Sequence, residues 1–410
     1  MSNHRADPSK LREVLRVLKE HGGNQTAAAA AIGVPRQTFI SRLRAAQLFE
    51  EEEMKSADQD VVLRDRVREL ETQLKFSQKE TLDAEYIKRK IIGIAEQVDQ
   101  ADPPKWMMRP TKSFSGPGVP TLFASDFHWG EIVDPAQIGG VNEYNIAIAH
   151  ERLRTMIETS VDLLRNHIQC ESDYPGIVFA LGGDMVSGDI HEELVATNEA
   201  EIMKVMLDLF GALCWAIERL ANEFGQIFVP CVSGNHGRNT HKIRAKGRNF
   251  TSFDWLMYQF LAKRFEADER VKFFIPDGAD ALYEVMGHRY LLTHGDQFRG
   301  GDGMIGALGP IIRGDHRKRG RNAQIGMGYD TMLMGHWHQL IQLQRLIVNG
   351  SLKGYDEYAY QGNFGFEPPR QALWLTHPQH GITFSAPVHV HQVTAPKKRA
   401  SGWVSWKEAA

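Results

Sequence analysis

The stretch IVFALGGDMVSGD, residues 177–189, joins an apolar run to a glycine pair and an acid, and this layout decides the fold. A short apolar run bounded by turn residues is typical of a buried strand. The layout recurs in four further stretches, TLFASDFHWG (121–130), IFVPCVSGNHGR (227–238), YLLTHGD (290–296) and TMLMGHWHQ (331–339). Because such runs alternate with helical patterns, the sequence predicts an α/β domain over residues 120–395.

A side chain that can bind a metal follows the end of each apolar run. These side chains are carboxylates, an amide and imidazoles, namely Asp126, His128, Asp184, Asn235, His294, His336 and His338. Since ligands of open α/β sheets collect at the carboxyl ends of strands, these residues should converge in space. Residues i and i+2 of an extended segment share a side, so Asp126 and His128 should reach one metal together. Flanking glycines should let the backbone turn tightly.

The ligand types restrict the metal. Carboxylate, amide oxygen and imidazole together suit manganese, iron, zinc or cobalt better than calcium or magnesium. No thiolate belongs to the set, which argues against a structural zinc site. We therefore predict divalent metal ions as cofactors, manganese first, with iron or zinc as alternatives.

The ordered series DxH, GD, GNH, HG and GHxH resembles the calcineurin-like metallophosphoesterase superfamily over roughly residues 120–340. The resemblance implies a two-sheet β-sandwich flanked by helices and two metal ions. The first ion would be held by Asp126, His128, Asp184 and His338. The second would be held by Asp184, Asn235, His294 and His336, with Asp184 as the bridge. The resemblance also makes His236 the catalytic acid that stabilises or protonates the leaving oxygen.

Two adjacent cations can clamp a phosphate and convert a water between them to hydroxide near neutral pH. The predicted function is therefore a dinuclear-metal-dependent phosphoester hydrolase that uses a metal-bridging hydroxide. The sequence departs from many members of the superfamily, because Gly237 and Arg238 follow the GNH element and 187–189 lacks an arginine. These departures weaken a phosphoprotein-phosphatase interpretation. Arg238 instead becomes a candidate ligand for a substrate phosphate.

Residues 1–48 have the layout of a helix-turn-helix. A first helix should end at Gly22, and Asn24 is a plausible N-cap for an alanine-rich second helix. Pro35 suits the first position of a third helix. The stretch GNQTAAAAAIGVPRQTFISRL, residues 23–43, resembles the Fis-type helix-turn-helix, which implies that the third helix enters the major groove. The predicted DNA contacts are Arg36, Gln37, Thr38 and Arg42. The alternative is a small helical bundle for protein contacts.

Residues 49–100 predict a helical spacer. Leu63, Val67, Leu70 and Leu74 follow a 4-3-4 spacing, which favours a coiled coil and a homo-oligomer. A surface helix packed on its own domain is the alternative. Residues 101–119 are rich in proline and glycine, as in a linker, and 396–410 form a tail.

The amino-acid composition restricts the possible binding partners and the cellular compartment. The net charge of −3 excludes a uniformly basic nucleic-acid binder, so any affinity for phosphate must come from local patches. The three cysteines lie in apolar runs without a CxxC spacing, which favours buried reduced thiols. We see neither an apolar signal sequence nor a run long enough for a membrane span, so a cytoplasmic protein without a membrane partner is predicted.

The segment 297–329 is basic and glycine-rich and should form a long loop over the metals. Arg317 and Arg319 in this segment are candidate substrate ligands. Together with the helix-turn-helix, the segment favours nucleic acid, and DNA in particular, as substrate of a nuclease or phosphodiesterase. The alternative is a phosphatase for phosphomonoesters or phosphoproteins, and a third is a DNA-binding protein with a vestigial esterase domain. The domain combination also resembles phage-encoded proteins of this superfamily.

Overall fold

The computed structural model describes residues 8–49, 103–110, 116–168, 174–299, 306 and 308–391. The chain divides into two compact units, Met1–Ile87 and Lys88–Ala410. The predicted coiled coil lies outside the described residues except for its first residue, as does the tail, and both stay predictions, as do the domain boundaries drawn from sequence. Within the described ranges, no helix combines the length and the apolar character that a membrane span requires.

Three helices form the described part of the first unit. They are α1 (Pro8–Glu20), α2 (Gln25–Ile32) and α3 (36–49). The Asn24 side chain accepts hydrogen bonds from two amides of the first turn of α2, and Gly33 ends this helix with a φ of 73°. The three helices share a small buried core that consists of Val14, Val17, Ala28, Ala29, Phe39 and Leu43. The predicted helix-turn-helix is therefore confirmed, with the N-cap and the turn glycine at the expected positions.

The described part of the second unit contains eleven strands and six α-helices. The strands are β1 (Val119–Ala124), β2 (Ile177–Leu181), β3 (Ile227–Pro230), β4 (Val271–Phe274), β5 (Asp280–Val285), β6 (His288–Thr293), β7 (Thr331–Met334), β8 (Ile341–Leu343), β9 (Leu346–Val348), β10 (Arg370–His377) and β11 (Gly381–His389). The helices are α4 (Ile146–Asp162), α5 (Glu192–Thr197), α6 (Ile202–Phe224), α7 (Phe253–Arg264), α8 (Leu308–Gln324) and α9 (Glu357–Gln361).

The strands form two mixed sheets. The first has the order β11-β10-β1-β2-β3-β4, in which β1 to β4 run parallel to one another. Strand β10 pairs antiparallel with β1, and β11 pairs antiparallel with β10. The second has the order β5-β6-β7-β9-β8, in which β6, β7 and β9 run parallel. This architecture confirms the predicted two-sheet α/β fold.

Apolar clusters separate the layers of the second unit. Phe123 and Val178 of the first sheet meet Tyr283 and Leu292 of the second in a core between the sheets. On the outer face of the first sheet a larger core includes residues of α4, α6 and α7. On the outer face of the second sheet, Ile311 of α8 joins a third cluster. Helices thus cover both outer faces, as expected for sheets that bury both sides.

The prediction of a long loop over residues 297–329 was wrong, because residues 308–324 form α8. The buried positions of this helix include Ile311, Gly314, Lys318 and Asn322, which have helical spacing. Of these four residues only Ile311 is strongly apolar, so the stripe carries no recognisable hydrophobic pattern. Gly314 faces the Phe298 ring so closely that a Cβ atom would lie 2.5 Å from it.

Part of the predicted linker packs on the second unit. Met107 is buried in the core between the two sheets. Its carbonyl accepts a hydrogen bond of 2.6 Å from the amide of Met286, which follows β5. Residues 103–110 therefore contribute to the folded unit at this point.

Candidate metal centre

The predicted ligands follow strand ends in both sheets. Asp126, Asp184 and Asn235 lie after β1, β2 and β3, which are parallel neighbours in the first sheet. His294 and His336 lie after β6 and β7, which are parallel neighbours in the second. Because parallel strands end at the same edge, each sheet contributes one row of side chains, and the structure brings the two rows together.

Five of the seven predicted metal-binding residues have a left-handed backbone. Their φ angles are 55° at Asp126, 49° at His128, 51° at Asp184, 69° at His336 and 52° at His338. A non-glycine residue in this region costs on the order of 1–3 kcal/mol and is often found at a functional site. The predicted convergence of the i, i+2 pairs is therefore achieved by left-handed turns, and the extended backbone assumed from sequence was wrong.

The first ligand group consists of Asp126, His128 and His338. The Nε2 atoms of the two histidines are 3.1 Å apart, and His338 Nε2 lies 3.4 Å from Asp126 Oδ1. The carboxylate of Asp126 also accepts the Ser125 hydroxyl and the backbone amide of His336. Two imidazole nitrogens and a carboxylate oxygen this close together can bind one cation. The donor set thus fits a divalent transition metal.

The second ligand group consists of Asp184, His294 and His336. His294 Nε2 lies 2.9 Å from Asp184 Oδ2 and 3.2 Å from Asn235 Oδ1. The other ring nitrogen, Nδ1, is 2.8 Å from the Gly182 carbonyl and donates its proton there. This contact orients Nε2 toward the carboxylate and the amide oxygen, as carbonyl partners of metal-binding histidines do.

His236 links the two groups. It forms a third group with His128 and Asp184, and its backbone amide donates a hydrogen bond of 2.6 Å to Asp184 Oδ1. Its Nδ1 lies 3.0 Å from the Ser187 carbonyl and donates its proton there, so Nε2 of the neutral ring is the proton acceptor. The predicted role of His236 as an acid stays a prediction. Asp184 belongs to two of the three groups, and its predicted bridging role also stays a prediction.

Glycines bring the ligand loops into contact. A Cβ atom on Gly234 would collide with Asp184 Oδ1, and one on Gly335 would collide with Asp126 Oδ2. Neither glycine has a positive φ, so close approach of the carboxylates, rather than a tight turn, explains why both lack a side chain.

Burial and charge set the ionisation of the site. Burial lowers the pKa of His236 to about 3 and that of His336 to about 4, so both rings are neutral at neutral pH. Burial also works against His294, but the Asp184 carboxylate raises the pKa of this imidazole to about 10. Burial alone would raise the pKa of Asp184, but the neighbouring imidazoles, His294 first, together hold it well below its usual value. Since cations bind deprotonated ligands, a cation between His294 and Asp184 would take the place of a proton.

Sequence analysis missed a charged network behind His128. The Nδ1 atom of His128 lies 3.2 Å from Glu131 Oε2, and Lys353 Nζ lies 2.7 Å from Glu131 Oε1. Lys353 also pairs with Asp356, and its side chain is only 3% exposed. A carboxylate behind a metal-binding histidine fixes the orientation of the ring and raises its basicity. None of the three charged residues lies in a recognisable motif, so sequence offered no signal.

Asp254, at the start of α7, was also missed. Its Oδ2 accepts the amides of Asp184 at 3.0 Å and Gly234 at 2.9 Å, and its Oδ1 accepts the amide of Met185 at 3.2 Å. Burial, together with the charge of Asp184, raises the pKa of this carboxyl to about 6. One carboxylate thus ties the loop after β2 to the loop after β3.

Arg248 joins two further loops. Its Nη2 donates to Asp296 Oδ1 at 2.9 Å and to the Gly234 carbonyl at 3.2 Å. Asp296 is the acid of the HGD element, two residues after His294. The loop after β3 is therefore connected to the loop after β6.

Two of the arginines predicted to bind substrate make structural contacts. Arg238 donates to the backbone carbonyls of Asn235 at 2.6 Å and Thr240 at 3.0 Å, which buttresses the GNH loop. Arg319 pairs with Asp315 and lies over the Tyr329 ring at 4.4 Å. The third predicted residue, Arg317, is exposed on α8 and lines a cleft. All three substrate contacts stay predictions.

The predicted DNA contacts share one feature. Arg36, Gln37, Thr38 and Arg42 are all exposed on α3. Phe39 and Leu43 of the same helix are buried in the core of the first unit. The helix therefore packs on its own unit through one face and presents the predicted DNA-binding side chains on the other.

Fold and site define the second unit as a two-sheet α/β sandwich with a cluster of carboxylate, amide and imidazole ligands at one edge. In the first unit, residues 12–45 match the Fis family of bacterial regulatory proteins. A Fis-type helix-turn-helix thus precedes the sandwich. Curated protein sequences show no significant match to the chain.

Solved structures that resemble the chain include three from different organisms. Zinc-complexed Vps29 from Entamoeba histolytica has 9% identity and a TM-score of 0.26, covering 66% of this chain and 100% of its own. A predicted phosphoesterase from Streptococcus pneumoniae has 11% identity and a TM-score of 0.25, covering 66% and 96%. The sulfate thiohydrolase SoxB from Thermus thermophilus, in complex with glycerol, has 11% identity and a TM-score of 0.27, covering 68% and 58%. Likeness at these values does not establish a shared family.

Proposed function

We propose that the second unit is a phosphoester hydrolase that depends on two divalent metal ions and acts on nucleic acid. The observation that carries the proposal is the chain of three ligand groups that overlap at His128 and Asp184. A single metal site needs one such group. Overlapping groups that share a buried carboxylate suit two adjacent cations.

The residues that would hold the first cation are Asp126, His128, Asp184 and His338. Those that would hold the second are Asp184, Asn235, His294 and His336. When bound, two such cations, manganese by preference, polarise phosphate oxygens and acidify a water molecule. The protein itself contributes ionised carboxylates, imidazoles held in one orientation by carbonyl and carboxylate partners, and a buried setting that strengthens charge interactions.

His236 lies beside this cluster, with its ring centroid 4.5 Å from that of His128. Because Nδ1 donates its proton to the Ser187 carbonyl, this ring can donate to a phosphate oxygen only after Nε2 also gains a proton, which makes it an imidazolium. We therefore propose that the negative charge of a bound substrate raises the pKa of His236, so that Nε2 takes a proton from solvent water and then donates it to the leaving oxygen.

Nucleic acid is favoured as substrate over phosphomonoesters or phosphoproteins because the same chain carries a Fis-type helix-turn-helix. Exposed Arg36 and Arg42 on α3 can neutralise phosphates of a duplex, and the N-terminal residues of this helix can meet base edges. DNA bound by the first unit would raise the local concentration of phosphodiesters near the second.

The test compares the full chain with Asp184→Asn, which keeps the shape of the side chain and removes its charge. Asp277→Asn, at an exposed position outside the cluster, is the matched control. Bound manganese is measured after dialysis, and hydrolysis is measured on plasmid DNA, on p-nitrophenyl phosphate and on its bis ester.

We expect wild type and Asp277→Asn to bind two equivalents of metal and to cleave the bis ester and DNA. Asp184→Asn should lose metal affinity by about a hundredfold or more, since even residues behind a ligand contribute 10–100-fold. Wild-type protein that binds no metal would refute the metal centre. Rapid monoester hydrolysis without cleavage of DNA would replace the nuclease with a phosphatase.

A further inference from the structure

A cleft of about 400 Å³ lies between α8 and the segment that follows β6. This volume falls within the roughly 300–1,000 Å³ that ligand clefts have. Six of the lining residues are cationic, namely Arg248, Arg299, Arg313, Arg317, Lys318 and Arg321. Asp280 is the one carboxylate among the lining residues.

The positive charge of the cleft is only partly compensated. Asp280 accepts both Lys318 Nζ at 2.6 Å and Arg321 Nη2 at 3.0 Å, so one acid serves two bases. Arg299 and Arg317 are exposed, and neither has an ion-pair partner among the described residues. An exposed pair of cations beside a shared acid leaves a field that attracts anions.

The cleft adjoins the candidate metal centre through Arg248. This residue lines the cleft, and its guanidinium bonds to Asp296 and to the Gly234 carbonyl, in the loops that carry His294 and Asn235. Gln297 and Phe298, the next residues after Asp296, also line the cleft. The cleft and the candidate metal centre are therefore connected through Arg248 and through the segment that follows His294.

The lining offers charge rather than an aromatic platform. Phe298 is the aromatic residue of the lining, and its ring is covered by Gly314 and by the Lys318 ammonium at 5.5 Å. Base stacking needs an open aromatic face, which Phe298 does not present. The chemistry of the cleft thus suits phosphate groups, and its lining offers no aromatic face on which a base could stack.

We propose that this cleft binds the phosphates of a nucleic-acid strand on one side of the phosphodiester that reaches the metal centre. The inference rests on the proposed hydrolase and adds the place where neighbouring phosphates of its nucleic-acid substrate bind. A phosphomonoester ends at the metal centre and has no further phosphate for a second cationic cleft. A strand carries one charge per nucleotide, so its neighbouring phosphates can occupy the cleft while one phosphodiester is held at the metals.

The test measures binding of a fluorescein-labelled single-stranded oligonucleotide of about twelve nucleotides, a length within the usual range of single-strand sites. Fluorescence anisotropy is recorded on the full chain in EDTA at several salt concentrations, so no cleavage occurs. Arg317→Glu reverses one charge of the cleft. Arg345→Glu reverses an exposed arginine in the turn between β8 and β9, outside the lining. Arg317→Lys keeps the charge.

We expect Arg317→Glu to weaken binding about tenfold or more and to lower the salt slope by about 0.7 for each lost phosphate contact. Arg345→Glu should change affinity less than about twofold, and Arg317→Lys should remain close to wild type, which also shows that α8 tolerates substitution. Equal affinities for Arg317→Glu and wild type, or equal losses for Arg317→Glu and Arg345→Glu, would overturn the proposal.

Hydrolysis of the bis ester by wild-type protein separates this inference from the function on which it depends. That substrate has a single phosphate and does not extend into the cleft. Salt-dependent binding through Arg317 without metal-dependent hydrolysis would refute the hydrolase while the cleft remains an anion site. Hydrolysis with unaltered oligonucleotide binding in Arg317→Glu would refute the cleft alone.

Discussion

Lys353 offers the sharpest test of how the protein supports its candidate metal centre. Its ammonium lies 2.7 Å from Glu131 Oε1 and 2.5 Å from Asp356 Oδ2, and all three side chains are at least 90% buried. Glu131 in turn lies 3.2 Å from His128 Nδ1. Replacing Lys353 by methionine keeps most of the side-chain volume but leaves two buried carboxylates without their cation.

The loss should be large because removing one partner of a buried ion pair typically costs about 3–5 kcal/mol. We therefore expect Lys353→Met to lower the free energy of unfolding of the second unit by at least about 3 kcal/mol. The metal affinity should also fall by about 10–100-fold, because Glu131 can no longer hold His128 in place.

Urea unfolding followed by tryptophan fluorescence measures the stability change. All eight tryptophans lie between residues 106 and 406, so the signal reports on the second unit alone. Lys263→Met is the matched control, since Lys263 pairs with Glu266 at 2.7 Å but its side chain is 47% exposed. An exposed pair contributes only about 0–1 kcal/mol.

The reasoning fails if Lys353→Met costs less than about 1 kcal/mol or no more than Lys263→Met. It also predicts a partial rescue. Adding Glu131→Gln and Asp356→Asn to Lys353→Met removes the uncompensated charges and should recover part of the lost stability. The metal affinity should not recover, because the amide introduced by Glu131→Gln is a weaker partner for His128 than a carboxylate is.

Three further substitutions test packing and capping. Gly234→Ala should reduce manganese affinity by at least about tenfold, because its Cβ atom would collide with Asp184 Oδ1. Gly211→Ala, inside α6 with no atom within 4 Å of the added Cβ, should raise the urea midpoint by an amount equivalent to about 0.5–1 kcal/mol. Asn24→Ala should destabilise the first unit by about 0.5–2 kcal/mol, measured by circular dichroism, because two amides of α2 lose their acceptor.

The two glycine substitutions control each other, since both add one methyl group to the second unit. Unchanged manganese affinity in Gly234→Ala would contradict the close approach of the two loops, and a lower midpoint in Gly211→Ala would contradict the open space beside α6. For the cap, Asn24→Asp should retain stability, so an equal loss in both variants would contradict the hydrogen bonds assigned to Asn24.

Much of the candidate site could be read from local patterns. An apolar run followed by a glycine and a polar residue indicates the end of a buried strand. This pattern correctly predicted that Asp126, Asp184, Asn235, His294 and His336 lie at sheet edges. The helix-turn-helix was equally accessible, because Asn24 and Gly33 act on amides and carbonyls only a few residues away. Local signals suffice wherever the interaction that they report is itself local.

Other features depend on partners that are distant along the chain. Lys318 is buried in α8 only because Asp280 and Thr293 accept its ammonium, and no periodicity of α8 alone reveals this. Lys353 reaches Glu131 across 222 residues, and Asp254 reaches Asp184 across 70. Buried charges follow no hydrophobic pattern, because their burial is made possible by a partner rather than by the residue itself.

The amino-acid sequence by itself thus determined the order of strands and loops, the choice of candidate ligand side chains and the N-terminal helix-turn-helix. The tertiary structure alone decided which side chains hold those residues in place, that five of the seven predicted ligands have a left-handed backbone, and that a basic segment forms a helix beside a cleft. The physical reason is the separation along the chain over which each interaction acts. Strand propensity and capping act within a few residues, whereas ion pairs and close backbone approaches arise only when the two sheets have packed.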